Sequence, residues 1–98
     1  MKHAHSYSPK KADELWQAVL GLKTKSECAK FFRDLCTIEE LKAIVDRWQA
    51  VKMINKGVPY REIAKKLDMS STTVSRVAQW LNNGKGGYKL ILKRLKLL

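Results

Sequence analysis

The sequence predicts an all-α fold of six helices. Three observations carry that reading. Glycine and proline are scarce before Gly84. No strand-like alternation of apolar and polar residues persists. Residue patterns that open and close helices recur along the chain. Hydrophobic residues make up 45% of the 98, ordinary for a globular chain and too many for a disordered one. A single domain over 1–98 is expected, with a modest core.

Each helix has its own justification. Ser8 before Pro9 reads as an N-cap with proline at the first helical position, where the missing N–H costs nothing. The first helix then runs from Pro9 to Leu20, with Ala12, Leu15, Trp16, Val19 and Leu20 on one stripe and Gly21 at its end. Residues 1–8 are expected to form a flexible arm. His3 and His5 within it are too few for a metal site. Thr24-Lys25-Ser26-Glu27 is a capping-box pattern, and opens a second helix with Cys28, Phe32, Leu35 and Cys36 inward. Thr37-Ile38-Glu39-Glu40 repeats the device. It opens a third helix, Ile38 to Lys56, with Gly57 beyond. Leu41, Ile44, Val45 and Trp48 share one face of it, while Ala43, Ala50, Met53 and Ile54 spread around the cylinder. A helix apolar nearly all round is usually buried on most sides. A chain this short has little to surround it, so a second subunit is expected to supply cover. Pro59 presets a short helix, Tyr60 to Leu67. Another runs from Ser71 to Asn82. After the loop Asn83 to Gly87, the last helix is expected over Tyr88 to Leu98, with Tyr88, Ile91, Leu92, Leu95 and Leu98 on one side.

Lysine and arginine number 20 against 9 aspartates and glutamates, a formal net charge of +11. Such a chain attracts polyanions: nucleic acid, an anionic membrane or an acidic partner. No window approaches the roughly 18 apolar residues of a membrane span. Met1 to Lys11 lacks the apolar core of a signal peptide, so a cytoplasmic protein is expected. Cys28 and Cys36 make neither a disulfide framework nor a common zinc spacing, and both read as reduced, buried apolar residues. No phosphate loop, nucleophile motif or zinc pattern points to an enzyme.

The informative stretch is Tyr60 to Leu81. A helix-turn-helix needs a small residue where the second helix crosses the first, and Ala64 supplies it. Ile63, Leu67 and Met69 pin the pair from one side. Val74, Val77, Ala78 and Leu81 form the inward stripe of the second helix, and Ser70 or Ser71 caps it. Asp68 stands where many such turns carry glycine, and aspartate tolerates the left-handed conformation better than most residues. At 100° per residue, Thr72, Thr73, Ser75, Arg76 and Gln79 fall outward, with Ser71 at the helix start. Hydroxyls reach phosphates or bases, arginine forks onto guanine and glutamine onto adenine. No acid on this helix repels phosphate. Arg61, Lys65 and Lys66 on the preceding helix are placed to meet the backbone. The plain alternative is two amphipathic helices with a solvated polar face, serving as a protein-interaction adapter or an RNA-binding module. The basic, amphipathic last helix also admits a membrane surface, although dimer packing accounts for its stripe.

These residues carry a resemblance. The chain resembles the Trp repressor superfamily, and more closely its YerC/YecD branch of regulators, from about Leu15 to Leu98. Thr37-Ile38-Glu39-Glu40, Arg47, Tyr60-Arg61-Glu62-Ile63-Ala64 and Ser71 to Arg76 are its most specific parts. The resemblance implies an intertwined, all-helical homodimer. Its N-terminal and C-terminal helices would interlock, with both reading heads on one side. It implies double-stranded DNA as partner, a near-palindromic site with half-sites about 34 Å apart or a multiple of that, and repression of transcription. It also raises a ligand, because the repressor holds tryptophan between two arginines that Arg47 and Arg76 match. Val77 stands where the repressor has glycine, and its branched side chain takes space an indole needs. Tryptophan is therefore disfavoured; another small corepressor, or none, stays open, and no cofactor is required. The ordinary alternatives are an ion pair from Arg47 to Asp46 or Glu62, and a phosphate contact from Arg76.

Overall fold

A computed structural model describes residues 6–98; His3, His5 and most of the expected N-terminal arm lie outside them. The described residues are all-α, with six helices in the order α1 (Pro9–Leu20), α2 (Lys25–Leu35), α3 (Ile38–Asn55), α4 (Tyr60–Lys66), α5 (Ser71–Asn83) and α6 (Gly87–Arg94). None of these helices is long and apolar enough to cross a membrane. The chain divides into two compact units, Met1–Ile38 and Glu39–Leu98.

In the first unit the N-caps form as the sequence dictates. The Ser8 hydroxyl accepts from the Lys11 amide at 3.2 Å, and the Thr24 hydroxyl from the Glu27 amide at 3.1 Å. Glu27 reaches one residue further back than a capping box requires. Its Oε1 accepts from the Lys23 amide at 2.8 Å. Gly21 keeps right-handed geometry, and its N–H bonds the Ala18 carbonyl at 3.0 Å. A tightened last turn therefore ends α1, and no left-handed residue is needed. Neither helix buries a side chain completely. The expectation of two buried cysteines is corrected accordingly. Cys28 is exposed and Cys36 half-buried, both as free thiols. What α2 does shelter is Phe31 and Phe32, edge to face with ring centroids 5.4 Å apart.

The second unit holds the core. Ala50 and Val51 of α3, Ile63 of α4, Val74, Val77 and Leu81 of α5, and Leu92 of α6 form one buried cluster. Each large aliphatic side chain here contributes about 1.5–3 kcal/mol relative to exposure. Val51, absent from the predicted stripes, is fully buried, while Ile44 and Val45 are 43% and 50% exposed. The C-terminal third of α3 thus feeds the core, and its earlier face stays open.

Three helices of this unit end in the same way. In a Schellman motif the residue after the C-cap is left-handed, and the next amide bonds back across the last turn. Gly57 has φ +83° and the Val58 amide bonds the Met53 carbonyl at 3.1 Å. Asp68 has φ +51° and the Met69 amide bonds the Ala64 carbonyl at 2.9 Å. Lys96 has φ +60° and the Leu97 amide bonds the Leu92 carbonyl at 2.8 Å. The third lock corrects the last helix, which stops at Arg94 and does not reach Leu98. Beyond it, Asn55 Nδ2 donates to the Leu97 carbonyl at 2.8 Å and holds the terminus to the end of α3. Of the predicted α6 stripe only Leu92 is fully buried; Ile91, Leu95 and Leu98 are exposed.

Candidate nucleic-acid interface

The candidate site is the α4–α5 pair. Leu67 to Ser70 join the two helices, and the left-handed Asp68 turns the chain. Ile63 is buried and Ala64, Leu67 and Met69 are half-buried against the core, as the sequence predicts. Ser70 caps α5. Its Oγ accepts from the Thr73 amide at 3.0 Å and lies 2.8 Å from Thr73 Oγ1. Val74, Val77, Ala78 and Leu81 are all buried, so packing fixes the rotation of α5 about its axis.

That rotation exposes a definite set of side chains. Ser71, Thr72, Ser75, Arg76 and Gln79 are exposed on α5, and Arg61, Lys65 and Lys66 on α4. No carboxylate occurs on α5. Thr73 differs from the others. It is half-buried, because it sits about 90° around the helix from the buried stripe and not opposite it. Its hydroxyl is engaged by Ser70. Trp80 is 49% exposed at the end of this helix. It lines an open cleft of about 660 Å³ with Asn83, Gly84, Lys85, Gly87 and Tyr88.

Arg47 is exposed on α3 and lines two further clefts. One, of about 400 Å³, is polar, with Lys42, Asp46, Asp68 and Thr73 among its walls. The other, of about 350 Å³, is apolar and includes Trp48 and Tyr88, whose ring centroids are 6.5 Å apart. Arg76 is not among the residues lining either cleft. Asp46 pairs with Lys42 at 2.6 Å; that hydrogen bond and its charge raise the Lys42 amine above its ordinary pKa. Val77 is fully buried.

Fold and site together define a helix-turn-helix domain. The chain belongs to the Trp repressor protein family, whose model matches residues 10–96. It is 38% identical to the uncharacterized protein YerC of Bacillus subtilis over 87 residues, covering 89% of this chain and 84% of that one. Two solved structures share the fold. A TrpR-like protein from Eubacterium eligens superposes with a TM-score of 0.86 at 37% identity, covering 93% of this chain and 94% of that one. A candidate Trp repressor from Staphylococcus aureus gives 0.85 at 36% identity, covering 100% and 97%.

Proposed function

We propose that this protein binds double-stranded DNA sequence-specifically as a homodimer and represses transcription. The observation that carries the reading is the outer face of α5. Over Ser71–Gln79 it offers three hydroxyls, one arginine and one amide, all exposed, without a carboxylate, on a helix capped at its start and locked in rotation by four buried residues. In this reading α5 enters the major groove, and Arg76 and Gln79 read base edges. Ser71, Thr72 and Ser75 contact phosphates or bases. Thr73 secures the first turn through Ser70. Arg61, Lys65 and Lys66 position the head on the backbone.

Family membership and the open apolar face of α3 support the dimer. A two-fold pair of heads calls for a near-palindromic operator. No corepressor is required in this reading. The burial of Val77 supports a site closed to tryptophan.

Selection of duplexes from a random pool tests the proposal. The expected result is a palindromic motif. Gln79→Ala should then alter base preference, whereas Lys65→Gln should weaken all duplexes alike and lower the salt slope by about one per subunit. Enrichment of no duplex would leave the adapter or RNA reading.

A further inference from the structure

The end of the chain carries a charge that the groove-reading helix does not use. From Met69 to Leu98 there is no aspartate or glutamate, while Lys85, Lys89, Lys93, Arg94 and Lys96 crowd the last fourteen residues. All five are exposed. Lys89 and Lys93 lie four apart on α6 and so share a face. Lys85 precedes that helix in the loop that leads from α5.

The fold places Lys89 at the C-terminal end of the reading helix. Lys89 Nζ lies 3.4 Å from the Asn82 carbonyl in the last turn of α5, and α6 is anchored to the same core by Leu92. The spacing also suits a nucleic-acid strand. Four residues of helix rise about 6 Å, so the two ammonium groups can meet separate phosphates of one strand. A lipid surface suits it less. Leu92 is buried and Tyr88 half-buried beside Trp48, and the part of the stripe left open, Ile91 and Leu95, is what the dimer would cover.

We propose that Lys85, Lys89 and Lys93 form a second phosphate-binding surface, which grips the DNA backbone beyond the groove that α5 reads. The inference rests on the DNA-binding reading above and extends it. The surface adds affinity and footprint without adding sequence information.

The test uses the full chain and the operator obtained by selection, with a scrambled duplex beside it. The variants are Lys85→Gln/Lys89→Gln/Lys93→Gln and the charge-keeping Lys→Arg triple. Binding is measured from roughly 50 to 200 mM salt, where each lost phosphate contact lowers the slope of log K against log salt by about 0.9. The glutamine triple removes three lysines from each subunit of the dimer and should lower the slope by up to about 5, weakening both duplexes about equally, by tenfold or more. The arginine triple should behave as wild type, and circular dichroism should show unchanged helix content in both. An unchanged slope in the glutamine triple overturns the inference. If Gln79→Ala still alters base preference in that assay, the groove reading survives alone. Vesicles of phosphatidylglycerol and phosphatidylcholine provide the other arm. Loss of vesicle binding in the glutamine triple, with duplex binding intact, assigns the surface to membrane and sinks the proposal. If wild type enriches no duplex, both readings fall together.

Discussion

At the scale of single residues, backbone conformation decides more than side-chain chemistry. Asp68 holds φ +51°, a region that costs most L-residues roughly 1–2 kcal/mol. Aspartate is among the few that visit it. Asp68→Gly should therefore keep or slightly raise the melting temperature. Asp68→Ala should lose about 1 kcal/mol, read by urea denaturation. Equal stability of the two variants would show that the turn does not depend on this conformation. Gly84 is constrained differently. Its φ is −84°, open to any residue, but an added Cβ would collide with the carbonyl oxygen of Trp80. That carbonyl is fixed, because it accepts the Gly84 amide at 2.9 Å. Gly84→Ala should cost about 1–3 kcal/mol, as overpacking does, and a calorimetric melt identical to wild type would refute this.

At the scale of elements, the local signals were legible and the tertiary ones were not. N-caps at Ser8, Thr24 and Ser70 are written in adjacent residues, so the starts of α1, α2 and α5 can be read from sequence. The inward stripe of α5 comes from its period, and with it the exposed Arg76 and Gln79. Thr73 was harder, because a residue on the flank of a helix falls to neither side by period alone. The end of α6 was not legible at all. Its lock uses lysine at a left-handed position, where glycine is the usual mark, and a bond from Asn55, 42 residues away. The inward assignment of Cys28 failed because α2 buries no side chain in a single chain. The ligand question also belongs to this scale. Calorimetry with tryptophan should give no binding heat, since Val77 is fully buried in the core cluster. Heat corresponding to micromolar affinity would reverse that assignment.

At the scale of the whole molecule, the net charge of +11 and the open apolar surface make separate demands. The outer face of α5 owes little to net charge, since it carries one cation, Arg76. The larger excess sits at the chain's end, around α6. The apolar surface is spread more widely. Trp16, Leu20, Leu35, Ile38, Val45 and Leu95 are each half or more exposed. Such side chains on a single chain are a liability unless association covers them. The folded state should therefore be stabilised by mass action. The melting temperature should rise as protein concentration is raised, and sedimentation should find a dimer at micromolar concentration. A concentration-independent melt together with a sedimenting monomer would contradict the homodimer.

The four-residue connection at Leu67–Ser70 has a consequence for how this chain tolerates change in length. Each residue added to a helix rotates the remainder of that helix by about 100°. With Asp68 fixing the direction of exit and the Ser70 hydroxyl fixing the first turn, one inserted residue has nowhere to be absorbed. It would swing Arg76 to the buried position that Val77 holds and bring Val74, Ala78 and Leu81 out to water. The loop from Gly84 to Gly86 bears no such phase relation to the reading face. Engineered insertions after Gly84 should spare base preference, whereas one in the turn should abolish it, so the two connections, although similar in length, act as a slack cable and a gearwheel.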